Sequence, residues 1–210
     1  MTTTRRESRA WRSKHDRILG SALEEFIVSG YDGASMDRIA GRAKVSKVTI
    51  YNHFKNKDEL YEQVLEVHLQ HLSAVDYGSD LADDLVPLEA LTRYSRRLLD
   101  VFMLPKTIGV TRLLAIDIFR QGGARRLKPS PQKRLPDHAS LSEYLGRIGG
   151  GGKMKIEKPD IAARQLVGML LENTFNRRLW GMDIDDSAQA IGAVIESSVR
   201  VFLDHYGAKV

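Results

Sequence analysis

Residues 35–57, SMDRIAGRAKVSKVTIYNHFKNK, constrain this chain more than any other stretch: two apolar helical faces follow one another with room for only a tight turn between them. Met36, Ile39, Ala40 and Ala43 form one face of a helix, with Ser35 as its N-cap. Ala43-Lys44-Val45-Ser46 breaks the rhythm, and Ser46 is placed to cap a second helix. Ile50 and Phe54 make a second apolar seam four residues apart, leaving Lys47, Thr49, Tyr51, Asn52 and His53 on the outer side. Two crossed helices, with the small Ala40 at the crossing and a polar outer face on the second, describe a helix-turn-helix.

The charge is placed where such a motif would use it. Of the net +5, residues 1–57 hold 12 Lys+Arg and 6 Asp+Glu, whereas residues 58–210 hold 20 and 21. A positive field around the motif is what a phosphate backbone requires. The chain has no cysteine, so disulfides and thiolate metal sites are excluded and a reducing cytoplasm is the expected compartment. No apolar run approaches the roughly 18 residues of a membrane span, and the polar start MTTTRRESRAWRSKHDR has no signal-peptide core.

The pattern predicts an all-α fold of about nine helices in 210 residues. Its expected divisions are a basic arm (1–14), the helix-turn-helix domain (15–56) and a C-terminal domain (57–210). Helix 1 is expected over about 15–29, ended by Gly30. Asn56 and Glu59 stand in capping-box spacing and open a helix at Lys57. Loops are expected at 76–87 and 122–136, with a flexible joint at Gly149–Gly152. Further helices are expected over about 87–103, 108–121, 137–148, 159–180 and 185–206. The one beginning at Pro159 is apolar nearly all round and must be covered on more than one side. The last combines apolar residues with small ones that admit a close neighbour. An isologous dimer through these two helices follows, with Leu166, Leu170, Ile191, Ile195, Val199 and Phe202 as its seam.

The string G-x-x-x-A-S-M-D-x-I-A-x-x-A-x-V-S-K-x-T-I-Y-N-H-F-x-N-K-x-E-L resembles the DNA-binding domain of the TetR/AcrR family of bacterial transcription regulators. The likeness covers about Ile18 to Leu60, and a weaker one lies at 157–170. The resemblance implies a homodimer whose N-terminal helices bind double-stranded operator DNA and whose C-terminal helices bind a small effector that releases it. Two positions depart from the family: Lys44 stands where glycine is usual in the turn, and Val48 where a small residue is common.

By that resemblance, Lys47, Val48, Thr49 and Asn52 are candidates for base edges. Tyr51, His53, Lys55 and Lys57 are candidates for phosphates, with Ser35 and Met36 on the other side of the groove and Lys44 and Ser46 in the turn. The arm Arg5, Arg6, Arg9 and Arg12 is placed either in an adjacent groove or free. An effector pocket would draw on Phe102, Met103, Leu113, Ile116, Asp117, Phe119, Asn173, Phe175, Arg177 and Trp180. No cofactor is implied. His68 and His71 lack a third metal ligand, GGGGKM lacks the pattern of a phosphate loop, and no GxSxG occurs. The alternatives are a regulator that senses no ligand and, more distantly, a small helical enzyme.

Overall fold

The computed structural model describes residues 3–120, 138–152 and 154–207, and those residues contain no strand. The expected loop at 122–136 lies outside them. In order the helices are α1 (Thr3–Gly33), α2 (Met36–Ala43), α3 (Lys47–His53), α4 (Lys57–Ser73), α5 (Pro87–Phe102), α6 (Pro105–Arg120), α7 (Ala139–Gly150), α8 (Pro159–Leu171), α9 (Arg177–Leu179) and α10 (Ala188–Tyr206). A π-helical turn, Glu172–Asn176, joins α8 to α9.

Local chemistry accounts for most boundaries. Ser35 Oγ accepts the amides of Asp37 (3.2 Å) and Arg38 (3.5 Å), and Ser46 Oγ accepts that of Thr49 (3.1 Å). Asn56 Oδ1 accepts from Glu59 N while the Glu59 carboxylate accepts from Lys55 N, both at 2.8 Å, so the capping box closes one residue further back than usual. Ser187 Oγ caps α10 by accepting from Ala190 N at 3.2 Å, so the last helix begins three residues later than expected. Pro105 opens α6 rather than only separating it from α5, because proline is tolerated in a first turn. The glycines after Ile148 continue α7 to Gly150, and only Gly152 takes a positive φ, of 72°.

The first helix differs more. α1 starts at Thr3, so the arm is a helical extension instead of a tail. Gly30 (φ 67°, ψ 175°), expected to end the helix, kinks it instead, and another turn follows.

The chain forms two compact units. The first unit runs through α4 to His71 and takes in α6 from Gly109; the second runs from Leu72 to Ile108 and resumes with α7. The core of the first unit gathers Ile18, Phe26, Ile39, Ile50, Phe54, Leu60, Tyr61 and Leu65 with Val110 and Leu113 of α6. Gly109 permits that approach, since a Cβ there would lie 2.8 Å from the Ile27 side chain. The core of the second unit packs α5, α7, α8 and α10 through Leu91, Leu99, Phe102, Tyr144, Leu166, Leu170, Phe175, Ile195, Val199 and Phe202. The π turn places Phe175 five residues after Leu170, where it meets Phe102 edge-on at 5.2 Å.

Candidate nucleic-acid interface

The outer face of α3 stands on a rigid support. Ile50 and Phe54 are fully buried, fixing the helix against α1 and α2. The turn before it holds Lys44 in the left-handed region (φ 51°, ψ 49°), the only described residue other than glycine with positive φ. That conformation costs a side-chain-bearing residue about 1–2 kcal/mol. It lets the Lys44 and Val45 amides close on carbonyls of α2, and it leaves the Lys44 ammonium stem in solvent.

A buried carboxylate ties α1 to α2. Glu25 is 1% exposed, and it accepts from Arg38 Nε (2.7 Å), Ser29 Oγ (3.2 Å) and Ser35 N (3.3 Å). The Arg38 hydrogen bond holds its carboxyl below the ordinary value of 4.5, outweighing burial, which acts the other way. Arg38 also donates to Gly33 O at 2.6 Å, so one guanidinium braces the entry to α2. Sequence inspection did not single out this pair; a Glu within the inner stripe of α1, otherwise apolar, is the signal that could have found it.

The sequence-predicted residues divide by environment. Lys44, Ser46, Lys47, Val48, Tyr51, Asn52 and Lys55 are exposed together, with Val48 at 68% and Tyr51 at 46%. Lys47 bridges to Asp37 at 3.0 Å, a solvent-exposed pair of small energetic weight that restrains its direction. Thr49 is half-buried and its hydroxyl lies 2.8 Å from Ser46 Oγ, so it is partly committed to the cap.

The remaining candidates are engaged elsewhere. The Met36 side chain belongs to the core, and the Ser35 amide is taken by Glu25. Lys57 Nζ sits 4.7 Å over the Tyr31 ring and donates to Asp32 O at 3.3 Å, while Tyr31 Oη donates to Asp58. His53 is half-buried and stacks on Trp11 with ring centroids 3.6 Å apart. Burial first, then the neighbouring His15 and Lys14, lower its pKa from 6.5, so it is a neutral imidazole at pH 7.

The predicted effector and dimer residues are redistributed. Leu113, Ile116 and Asp117 lie in the first unit, while Phe102, Met103, Asn173, Phe175 and Arg177 lie in the second; the Phe119 side chain falls outside the described residues. Phe102 and Phe175 are core, whereas Asn173, Arg177 and Trp180 are exposed. Met103 lines an open cleft of about 340 Å³ with Leu99, Leu104 and Ile191, beside Arg96, Asp100 and Asp186. Leu166, Leu170, Ile191, Ile195, Val199 and Phe202, expected at a dimer seam, are at most 9% exposed and packed within the second unit itself. The physical reason is that α5 and α7 already cover those faces. Among the described residues no helix is long and apolar enough to cross a membrane, and no group of three or more His, Cys, Asp or Glu is placed to hold a metal.

Known proteins match both the N-terminal and the C-terminal part of the chain. Residues 18–64 match the model of bacterial regulatory proteins of the tetR family, and residues 89–208 match that of the AefR-like transcriptional repressor C-terminal domain. The DNA-binding transcriptional repressor TetR of Mycobacteroides abscessus is 30% identical over 189 residues, 89% of this chain and 92% of that one. The HTH-type transcriptional regulator RutR of Escherichia coli K12 is 35% identical over 103 residues, 47% of this chain and 46% of that one, so the chain spans about half the length of this relative. A TetR-family transcriptional regulator from Mesorhizobium loti superposes with a TM-score of 0.74 at 26% identity, covering 93% of this chain and 98% of the other. The braced helix-turn-helix, the helical C-terminal unit and these matches converge: the chain belongs to the TetR family of bacterial regulatory proteins.

Proposed function

We propose that this protein is a homodimeric, operator-binding transcriptional repressor whose hold on DNA is released by a small, mostly apolar effector. The observation that carries the reading is the outer face of α3. Lys47, Val48, Tyr51 and Asn52 are exposed side by side on a helix locked by buried Ile50 and Phe54. Asn reads adenine, Lys reads guanine acceptors and Val touches a thymine methyl, while Tyr51, Lys55 and Lys44 serve phosphates. Repression is supported by the description of the matched C-terminal family.

Dimerisation is supported by faces of α8 and α10 that the described residues leave exposed. Ile161 and Gly168 line one side of α8, and Ala193, Ser197, Val201 and Asp204 one side of α10. Small residues at helical spacing let backbones approach closely, as a two-fold helix–helix seam requires. Effector binding is supported by the cleft lined by Leu99, Met103, Leu104 and Ile191, whose volume of about 340 Å³ suits a small molecule. Arg96, Asp100 and Asp186 at its edge would orient a polar end.

The test is footprinting on the DNA flanking the protein's own gene, in the absence and presence of candidate apolar compounds. A protected pseudo-palindrome with half-sites about one helical turn apart or slightly more is expected, lost on adding the effector. A protein that protects no DNA, or that sediments as a monomer while bound, sinks the reading.

A further inference from the structure

The cleft in the second unit has an apolar wall and an ionic rim. Leu99, Met103 and Leu104 supply the wall from the corner between α5 and α6, and Ile191 supplies it from α10. Leu99 and Ile191 are buried, Met103 is half-buried and Leu104 is exposed, so hydrocarbon meets water along its mouth. Covering that hydrocarbon favours a ligand with an apolar body. A volume of about 340 Å³ lies at the lower end for ligand pockets and suits a compact one.

The three ionic side chains on the rim are not equivalent. Asp186 is already paired with Arg178. Asp100 is exposed and lies in the field of Arg97. Arg96 is half-buried and has no hydrogen-bond or ion-pair partner among the described residues, whereas Arg93 and Arg97 on the same helix are paired with Glu89 and Asp80. Its guanidinium reaches across to α10 where that helix carries Gly192: a Cβ there would stand 3.5 Å from Arg96 Nη2. The cation is therefore held against α10, next to Ile191. A guanidinium offers two parallel N–H donors that match the two oxygens of a carboxylate. An unpaired, half-buried cation gains more from an anion than an exposed or already paired carboxylate gains from a cation. Asp100 and Asp186 then repel any second negative charge on the same ligand.

We propose that the cleft takes a compact apolar monocarboxylate, its carboxylate on Arg96 and its hydrocarbon against Leu99, Met103, Leu104 and Ile191. This names the chemical class of the effector and rests on the effector reading of the cleft given above. Arg96 selects the acid over its neutral and cationic counterparts. Asp100 and Asp186 select a single negative charge over a polyanion such as a coenzyme A thioester of the same acid.

The test is calorimetric titration of the full-length protein with octanoate, phenylacetate and 4-tert-butylbenzoate. Each is run beside its carboxamide and the amine of the same skeleton, and octanoyl-CoA is added as the polyanion. At least one acid is expected to bind about tenfold or more tightly than its amide, with the amine and octanoyl-CoA weaker still. R96Q is expected to weaken that acid by about 10- to 100-fold and to leave the amide within about threefold. R96K, which keeps the charge without the fork, is expected to fall between parent and R96Q. Where R96Q melts early, M103W replaces it: a bulky ring fills the cleft from another side and should abolish binding of the acid. No binding by any of the acids, an acid no tighter than its amide, an amine or octanoyl-CoA that binds best, or an acid indifferent to R96Q or M103W overturns the inference. Footprinting with the same compounds keeps the two readings apart. A compound that releases DNA from the parent and from R96Q alike sustains the effector reading and overturns this inference. An acid that binds through Arg96 while the footprint stays in place supports the class assigned to the cleft and overturns release.

Discussion

The two units bury their helices by different means. In the first, polar ties set the angles: the Glu25–Arg38 pair, the Ser35 and Ser46 caps, the Asn56–Glu59 box and the left-handed Lys44. In the second, apolar side chains fill the space between α5, α7, α8 and α10, and tyrosine hydroxyls are buried with them. Burial pushes the Tyr77 phenol up to about 12 and raises Tyr94 and Tyr144 as well. Directional bonds hold a recognition helix at one angle, as reading DNA demands. A largely non-directional core tolerates rearrangement, as the proposed effector release would require. Each unit also carries one of the two tryptophans, Trp11 in the first and Trp180 in the second, so each can be followed separately.

The largest expected effect breaks one core and spares the other. Phe54→Ala removes a fully buried ring from the first unit and should cost about 3–5 kcal/mol. Followed in urea with W180F and W11F backgrounds, the Trp11 transition should move and the Trp180 transition should stay within about 0.5 kcal/mol. Equal shifts in both would mean the units unfold as one and dissolve the comparison.

Glu25→Gln tests the polar ties and should cost about 1–3 kcal/mol. The folded carboxyl lies below its ordinary 4.5, so its contribution is whole above that value and lost as pH falls through the lower folded value. Acid titration of Trp11 emission should therefore show weaker pH dependence in the variant below about pH 4.5; unchanged dependence would remove Glu25 from the account.

A smaller gain is expected from Lys44→Gly, about 1 kcal/mol of stability from relief of the left-handed conformation. DNA affinity should fall at the same time, because a cation beside the interface is removed. A variant no more stable than the parent in thermal unfolding would show the turn to be unstrained. Smallest is Lys57→Ala, which should weaken binding at all sequences and flatten the salt slope by about one unit or less. Lys57 is already held by Tyr31 and Asp32 O, so a full unit requires that it keep these partners while touching phosphate. Identical slopes for parent and variant would remove it from the interface.

The legible part of the fold was the part written in local chemistry. Ser35, Ser46 and Asn56 announce helix starts because their side chains bond amides two or three residues away. Ile50 and Phe54 announce their burial by spacing alone. The expected seam residues of α8 and α10 show the converse. An apolar stripe says that something covers it but not whether that is the same chain or a second one, and here α5 and α7 are already in place. Met36 likewise stands at the start of α2 among the candidates for DNA contact, yet its side chain has a place in the core.

From the sequence alone came the helix-turn-helix, its caps, its basic surroundings, the all-α class and the family resemblance, since each depends on neighbours within a turn or two along the chain. Tertiary structure alone decided that α6 enters the core of the first unit at Gly109, that Glu25 is buried under Arg38, and that Trp11 lies on His53. Those pairings join residues 13 to 82 positions apart, and no local periodicity encodes a distance across the fold. They arise only when helices pack and each buried polar or aromatic group must find the partner that packing brings to it.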